Sequence, residues 1–220
     1  MSTQTRSPRP RVLLTGFDAF GGDAINPSWL AVRALHGRQV AGHTVVAAQL
    51  PTVFGEALRE LHVLLVKHQP ALVICVGQAG GRSALSLERI AINVDDAPIP
   101  DNAGAQPIDA PVAPGAPAAY FSTLPIKAML AALQREGLPA EVSQTAGTFV
   151  CNHVFYGLMH ALATEPVLHH TRGGFVHVPW LPEQGTPSMA LNDVVHGLRV
   201  ALRAALVAPK DVPLAAGATH

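Results

Sequence analysis

Two apolar periods alternate along this chain. Arg11–Thr15 is a short apolar run closed by Gly16, which predicts a buried strand. Asn26-Pro27 then has the form of an N-cap with proline at the first helical position, predicting a helix to about Leu35. Val45–Leu50 predicts the next strand, and Phe54, Ala57, Leu58, Leu61, Leu64 and Leu65 share one helical face. Ala71–Val76 is a continuous apolar run ending at Gly77, the pattern of a strand buried on both faces. Ser86–Val94 is rich in β-formers and predicts a strand or an extended arm. Ile126, Met129, Leu130 and Leu133 mark a helix stopped by Gly137, and Ala140–Thr145 marks another strand. Val154, Phe155, Leu158 and Leu162 recur at helical spacing, Gly174–Val178 is a strand ended by Pro179, and Leu191, Val194, Val195, Leu198, Leu202 and Leu206 outline a final helix.

Strands alternating with helices predict an α/β fold with a mostly parallel sheet covered on both faces. Residues 11–208 form one expected catalytic domain, with flexible tails at 1–10 and 209–220. Asp95–Ala118 is dominated by Pro, Gly, Ala and Asp; a loop of that length in a compact domain is usually functional or covers a site. In parallel sheets, sites gather beyond the carboxyl ends of the strands. Gly16-Phe17, Gly77-Gln78, Ala146–Cys151 and His177-Val178-Pro179 all fall there, so distant segments are expected to meet at one edge.

Composition narrows the function classes. Of 220 residues 49% are hydrophobic, enough for a sizeable core, and 15 basic residues balance 15 acidic ones. Without a basic stripe, neither nucleic acid nor an anionic membrane is an expected partner. No apolar run is long enough to span a bilayer, and Met1–Pro10 is polar and basic, without the apolar stretch of a signal peptide, so the expected compartment is the cytoplasm. Metal-ligand spacings are absent, and Gly77–Gly81 lacks the Lys-Ser/Thr of a phosphate loop, so neither a metal nor a nucleotide is expected.

Only two cysteines occur, Cys75 and Cys151. Cys75 lies within an apolar strand and reads as core. Cys151 follows Thr145-Ala146-Gly147-Thr148-Phe149-Val150 at the start of a helix, where free backbone N–H groups and the positive dipole end favour a thiolate nucleophile. A sulfur nucleophile needs a base, and His177, a lone polar residue near the end of an apolar strand, is the foremost candidate. His153, two residues past Cys151, points elsewhere on the helix; His169-His170 reads as solvated loop. Glu88, Asp95, Asp96 and Asp101 remain open as the acid that orients the base, with Arg89 beside Glu88 offering it an ordinary ion pair.

Taken in order, five segments resemble the pyroglutamyl peptidase I (pyrrolidone-carboxylate peptidase) family from Val12 to about Leu198. They are Leu14-Thr15-Gly16-Phe17-Asp18-Ala19-Phe20-Gly21-Gly22 with Asn26-Pro27-Ser28; Gly77-Gln78-Ala79-Gly80-Gly81-Arg82 with Glu88–Asn93; Ile99-Pro100-Asp101-Asn102; Thr145–His153; and Phe175–Pro179 with Pro182-Glu183-Gln184. The resemblance implies a three-layer α/β/α sandwich and a cofactor-free, usually homotetrameric cysteine peptidase that removes N-terminal pyroglutamate from peptides. It implies a catalytic triad of Glu88, Cys151 and His177, and a pyroglutamyl pocket of Phe17, Phe20, Thr52, Gln78, Ile99, Phe149 and Val150. Two positions depart from the family pattern: Ala19 stands where proline is usual, and Pro98 where arginine is usual.

Overall fold

A computed structural model describes residues 9–217. The elements in chain order are β1 (Arg11–Phe17), α1 (Pro27–Ala34), β2 (Gln39–Val40), β3 (His43–Leu50), α2 (Glu56–His68), β4 (Leu72–Gln78), β5 (Leu85–Glu88), β6 (Ile90–Ile92), β7 (Ala119–Phe121), α3 (Ile126–Arg135), β8 (Ala140–Ser143), α4 (Val150–Thr164), β9 (Arg172–Val178) and α5 (Leu191–Val207), with a 3₁₀ turn at Pro166–Leu168. Seven strands form one sheet in the order β2-β3-β1-β4-β9-β5-β8. Pairing is parallel except that β2 runs antiparallel to β3 and β5 antiparallel to β9.

The sheet is the middle layer of three. Strand residues alternate between its faces. Val12, Leu14, Ile74, Val76, Leu85, Leu87, Val176 and Val178 pack with α1, α3 and α5 on one side. Leu13, Phe17, Val73, Cys75 and Phe175 pack with α2 and α4 on the other. Burial on both faces is why β4 and β9 are almost uninterrupted apolar runs.

Several local signals act as expected. Asn26 caps α1 by accepting from Ser28 N–H at 3.0 Å, with Pro27 at the first helical position. Phe54, by contrast, lies before α2 rather than on it; that helix begins at Glu56 after Gly55, whose φ is 70°. The Ser86–Val94 segment divides into β5 in the main sheet and β6, which pairs antiparallel with β7 as a separate two-stranded ribbon.

Beyond α5, Asp211 accepts from the backbone N–H groups of Lys127 (3.2 Å) and Ala128 (2.8 Å) at the start of α3, and Ala216 O accepts from Arg89 Nη2 (3.3 Å). Residues 1–8 and 218–220 of the two expected tails lie outside the described residues.

Candidate active site

Three neighbouring strands present one row of side chains to α4. Gly77 on β4 is in register with His177 on β9, and Ser86 on β5 is opposite His177. Paired residues share a face and alternate residues return to it, so Cys75, Gly77, Phe175, His177, Ser86 and Glu88 all face α4. A Cβ added to Gly77 would lie 2.7 Å from Cys151 Sγ and 2.8 Å from Phe175 Cζ. The sulfur therefore sits directly over the strand position beside His177, and glycine is what makes room for it.

The helix start is built to present that sulfur. Gly147 turns the chain at φ 77°, a conformation that L side chains rarely adopt. Cys151 occupies the first turn of α4, and Phe149 at the N-cap supplies no side-chain cap. Backbone N–H groups in that turn have no acceptor within the helix; the first intrahelical bond is His153 N to Phe149 O at 3.1 Å.

Two histidine–carboxylate pairs involve residues of α4 or of the sheet face beneath it, and their hydrogen bonds distinguish them. His153 Nδ1–H donates to Asp95 Oδ2 at 2.8 Å, while its Nε2 accepts from Gly55 N–H at 2.9 Å. Both ring nitrogens are committed. His177 Nδ1–H donates to Glu88 Oε1 at 2.8 Å, which leaves Nε2 uncommitted among the described residues. His177 is 4% exposed and Glu88 0%. Asp101 is engaged elsewhere, accepting from the N–H groups of Phe54, Ala103 and Ala105, and Asp96 is exposed.

The alternative reading of Glu88, an ordinary ion pair with Arg89, does not appear among the described residues. Glu88 instead pairs with Arg82, whose Nη1 lies 2.7 Å from the same Oε1 that accepts from His177. Neighbouring residues in extended chain point opposite ways, which turns Arg89 away from its neighbour's carboxylate.

The sulfur's ionisation also differs from the helix-dipole expectation. Burial pushes the Cys151 thiol from its ordinary 9.0 up to about 12; the Glu88 carboxylate adds to the rise and the Arg82 guanidinium opposes it. That rise runs opposite to the effect of the helix terminus, which favours the thiolate.

The seven residues expected to line a pocket fall in four groups. Phe20 and Phe149 pack with ring centroids 5.9 Å apart, and Phe54, absent from that set, meets Phe149 edge-on at 5.4 Å. Thr52 N–H donates to Asp18 Oδ1 at 2.7 Å, and Asn102 N–H donates to Thr52 O at 3.1 Å, which ties the Ile99–Asn102 segment to the ends of β1 and β3. Gln78, at the end of β4, donates to Asp23 Oδ2 at 3.0 Å, and Gln184 donates both to that oxygen and to Gln78 Oε1. Phe17 and Val150 are core, 2% and 1% exposed, and Ile99 is 42% exposed. Pro98 is also exposed. A groove of about 890 Å³ between β2, α3 and α5 lies across the sheet from the sulfur and shares none of these residues.

Sequence reasoning missed Asn152. Its amide accepts from Ile92 N–H at 3.0 Å and donates to Ile92 O and Val94 O at 2.9 Å each, clamping the end of β6 to α4. Among the described residues, no group of three or more His, Cys, Asp or Glu is arranged to hold a metal, and no helix is long and apolar enough to cross a membrane.

A cysteine at an uncapped helix start, on the same sheet face as a buried histidine–carboxylate pair, gives the molecule the outline of a cysteine-dependent α/β hydrolase. A family model of pyroglutamyl peptidase matches residues 10–208, and the chain belongs to that family. It is 57% identical over 216 residues to pyrrolidone-carboxylate peptidase 1 of Ralstonia nicotianae, covering 96% of this chain and 100% of that protein. To pyrrolidone-carboxylate peptidase of Klebsiella pneumoniae it is 56% identical, over 95% of this chain and 99% of that one. The crystal structure of pyroglutamyl peptidase I from Bacillus amyloliquefaciens superposes with a TM-score of 0.92 at 47% identity, covering 94% of this chain and 100% of that chain. A mutant pyrrolidone carboxyl peptidase from Pyrococcus furiosus gives 0.86 at 42% identity, covering 89% and 98%.

Proposed function

We propose that this protein hydrolyses the amide bond after an N-terminal pyroglutamyl residue, with Cys151 as nucleophile, His177 as general base and acid, and Glu88 as the group that orients the imidazole. The observation that carries this reading is the uncommitted Nε2 of His177, on the sheet face where Cys151 Sγ sits over Gly77, with Nδ1 anchored on Glu88. A thiol held near 12 by burial favours proton transfer to His177 in step with attack over a standing thiolate. Sulfur bonds to the pyroglutamyl carbonyl carbon, the C–N bond breaks, and the proton taken from sulfur leaves on the amine. Water then attacks the thioester, giving one proton to His177; pyroglutamate departs and the thiol is restored. Free N–H groups in the first turn of α4 suit the oxyanion, where losing one such donor costs about 3–4 kcal/mol in comparable sites.

Substrate choice follows from the lining. Phe20, Phe54 and Phe149 offer apolar surface to a small uncharged lactam. An N-terminal glutamine carries an ammonium that such walls would desolvate at high cost. The test compares fluorogenic pyroglutamyl, prolyl and glutaminyl amides with the parent protein and Cys151→Ala. Release from the pyroglutamyl amide alone, lost in a folded Cys151→Ala, is expected. Turnover that survives in Cys151→Ala contradicts the nucleophile, and equal cleavage of the prolyl amide contradicts the lactam pocket. The family resemblance further supports a cytoplasmic homotetramer, which sedimentation at micromolar concentration checks directly; a monomer there overturns it.

A further inference from the structure

One charge at the site has no part in that chemistry. Arg82 spans three segments: Nη1 reaches Glu88 Oε1 at 2.7 Å and Ser143 Oγ at 3.5 Å, and Nη2 donates to Thr145 O at 3.2 Å in the turn that leads to Cys151. The Arg82 side chain is 28% exposed and the Glu88 side chain 0%. Glu88 Oε2 has no partner among the described residues, so Oε1 alone, held by His177 and Arg82, fixes the carboxylate.

Charge balance gives the guanidinium a purpose. During attack, positive charge appears on the imidazole and negative charge on sulfur and then on the carbonyl oxygen. With a buried Glu88 beside them, the cluster would carry a net negative charge that a low-dielectric site opposes. Arg82 brings the sum to zero. We propose that Arg82 is a positioning residue that locks the Glu88 carboxylate onto His177 and offsets its charge at the Cys151 sulfur. This rests on the reading of Cys151 as nucleophile. The groups facing that sulfur are Glu88 from β5, Arg82 from the β4–β5 connection, Cys75 from β4 and His177 from β9; Arg82 is the one that favours the thiolate in the resting site, against Glu88 and Cys75.

The test uses Arg82→Gln and Arg82→Lys in the full chain. Peptide mapping follows alkylation of Cys151 by iodoacetamide against pH, a reaction that needs no pyroglutamyl group, while kcat and KM are measured on a pyroglutamyl amide. In Arg82→Gln the alkylation profile moves to higher pH and kcat falls on the order of 100-fold with KM little changed, the loss expected from a misplaced catalytic group. Arg82→Lys restores the charge and the parent alkylation profile but, lacking the planar fork, recovers only part of kcat. A folded Arg82→Gln with the parent's alkylation profile overturns the proposal. So does an Arg82→Lys profile displaced from the parent's, which decides the matter if Arg82→Gln fails to fold. Absence of labelling at Cys151 in the parent protein would instead remove the nucleophile reading itself.

Discussion

Gly77→Ala tests the placement of the sulfur with a single methyl group. Gly77 is an ordinary strand residue in β4, so alanine fits its backbone and only space is at issue. The new Cβ would stand 2.7 Å from Cys151 Sγ and 2.8 Å from Phe175 Cζ, where ordinary contacts lie at 3.4–4 Å. Phe175, 1% exposed and packed against Phe17 and Phe155 at ring-centroid distances of 6.4 and 5.8 Å, has nowhere to go. The sulfur, at the end of one rotatable bond, is what yields, by roughly 1 Å, and such a displacement costs on the order of 100-fold in rate. Overpacking itself costs about 1–3 kcal/mol, a fall of about 3–10 °C in Tm for a chain of this size. Steady-state kinetics on a fluorogenic pyroglutamyl amide, beside a circular dichroism melt, separate the two effects. A kcat close to the parent's, in a variant that melts as predicted, refutes the position assigned to Cys151.

The two histidine pairs should respond oppositely to mutation. His153→Ala strands both Asp95 and the Gly55 N–H in a buried setting, so a loss on the order of 3 kcal/mol and about 10 °C in Tm is expected. His177→Ala leaves Glu88 paired with Arg82 and is expected to abolish turnover with a smaller change in Tm; melts and kinetics of the two variants check this together. A further expectation concerns alkaline pH. Burial raises the Cys75 thiol from 9.0 to about 12. The folded state thus holds a proton that the unfolded state releases above pH 9, and stability falls as pH rises from there toward 12. The full difference corresponds to about 4 kcal/mol, and urea melts from pH 8 to 11 should show a shallower decline in Cys75→Ala.

Much of the fold was legible because burial imposes period. The runs at β4 and β9 announced strands buried on both faces, and the spacing of Val154, Phe155, Leu158 and Leu162 announced α4. His177 was visible because one polar residue in an apolar strand must find a partner. Strand direction was not legible: alternation in Leu85–Glu88 reads the same in either sense, so its antiparallel pairing with β9 had no signal. The β6–β7 ribbon joins residues almost thirty positions apart through three-residue strands, too short for a period to register. Adjacency gave no guide at Glu88, where Arg89 is the chain neighbour but Arg82, across the loop, is the partner in space. His153 was set aside as a partner for Cys151, and its tie to Asp95 and Gly55 depends on loop conformations that a linear pattern does not encode.

Acylation of the Cys151 sulfur is the central claim, and mass spectrometry of the enzyme quenched in acid during turnover of a pyroglutamyl amide addresses it most directly. The account predicts a transient population carrying one pyroglutamyl group, mapped to the peptide that contains Cys151 and absent from Cys151→Ser. A pyroglutamyl group found on another residue, or rapid turnover with no adduct at any quench time while Cys151→Ser remains active, would contradict it.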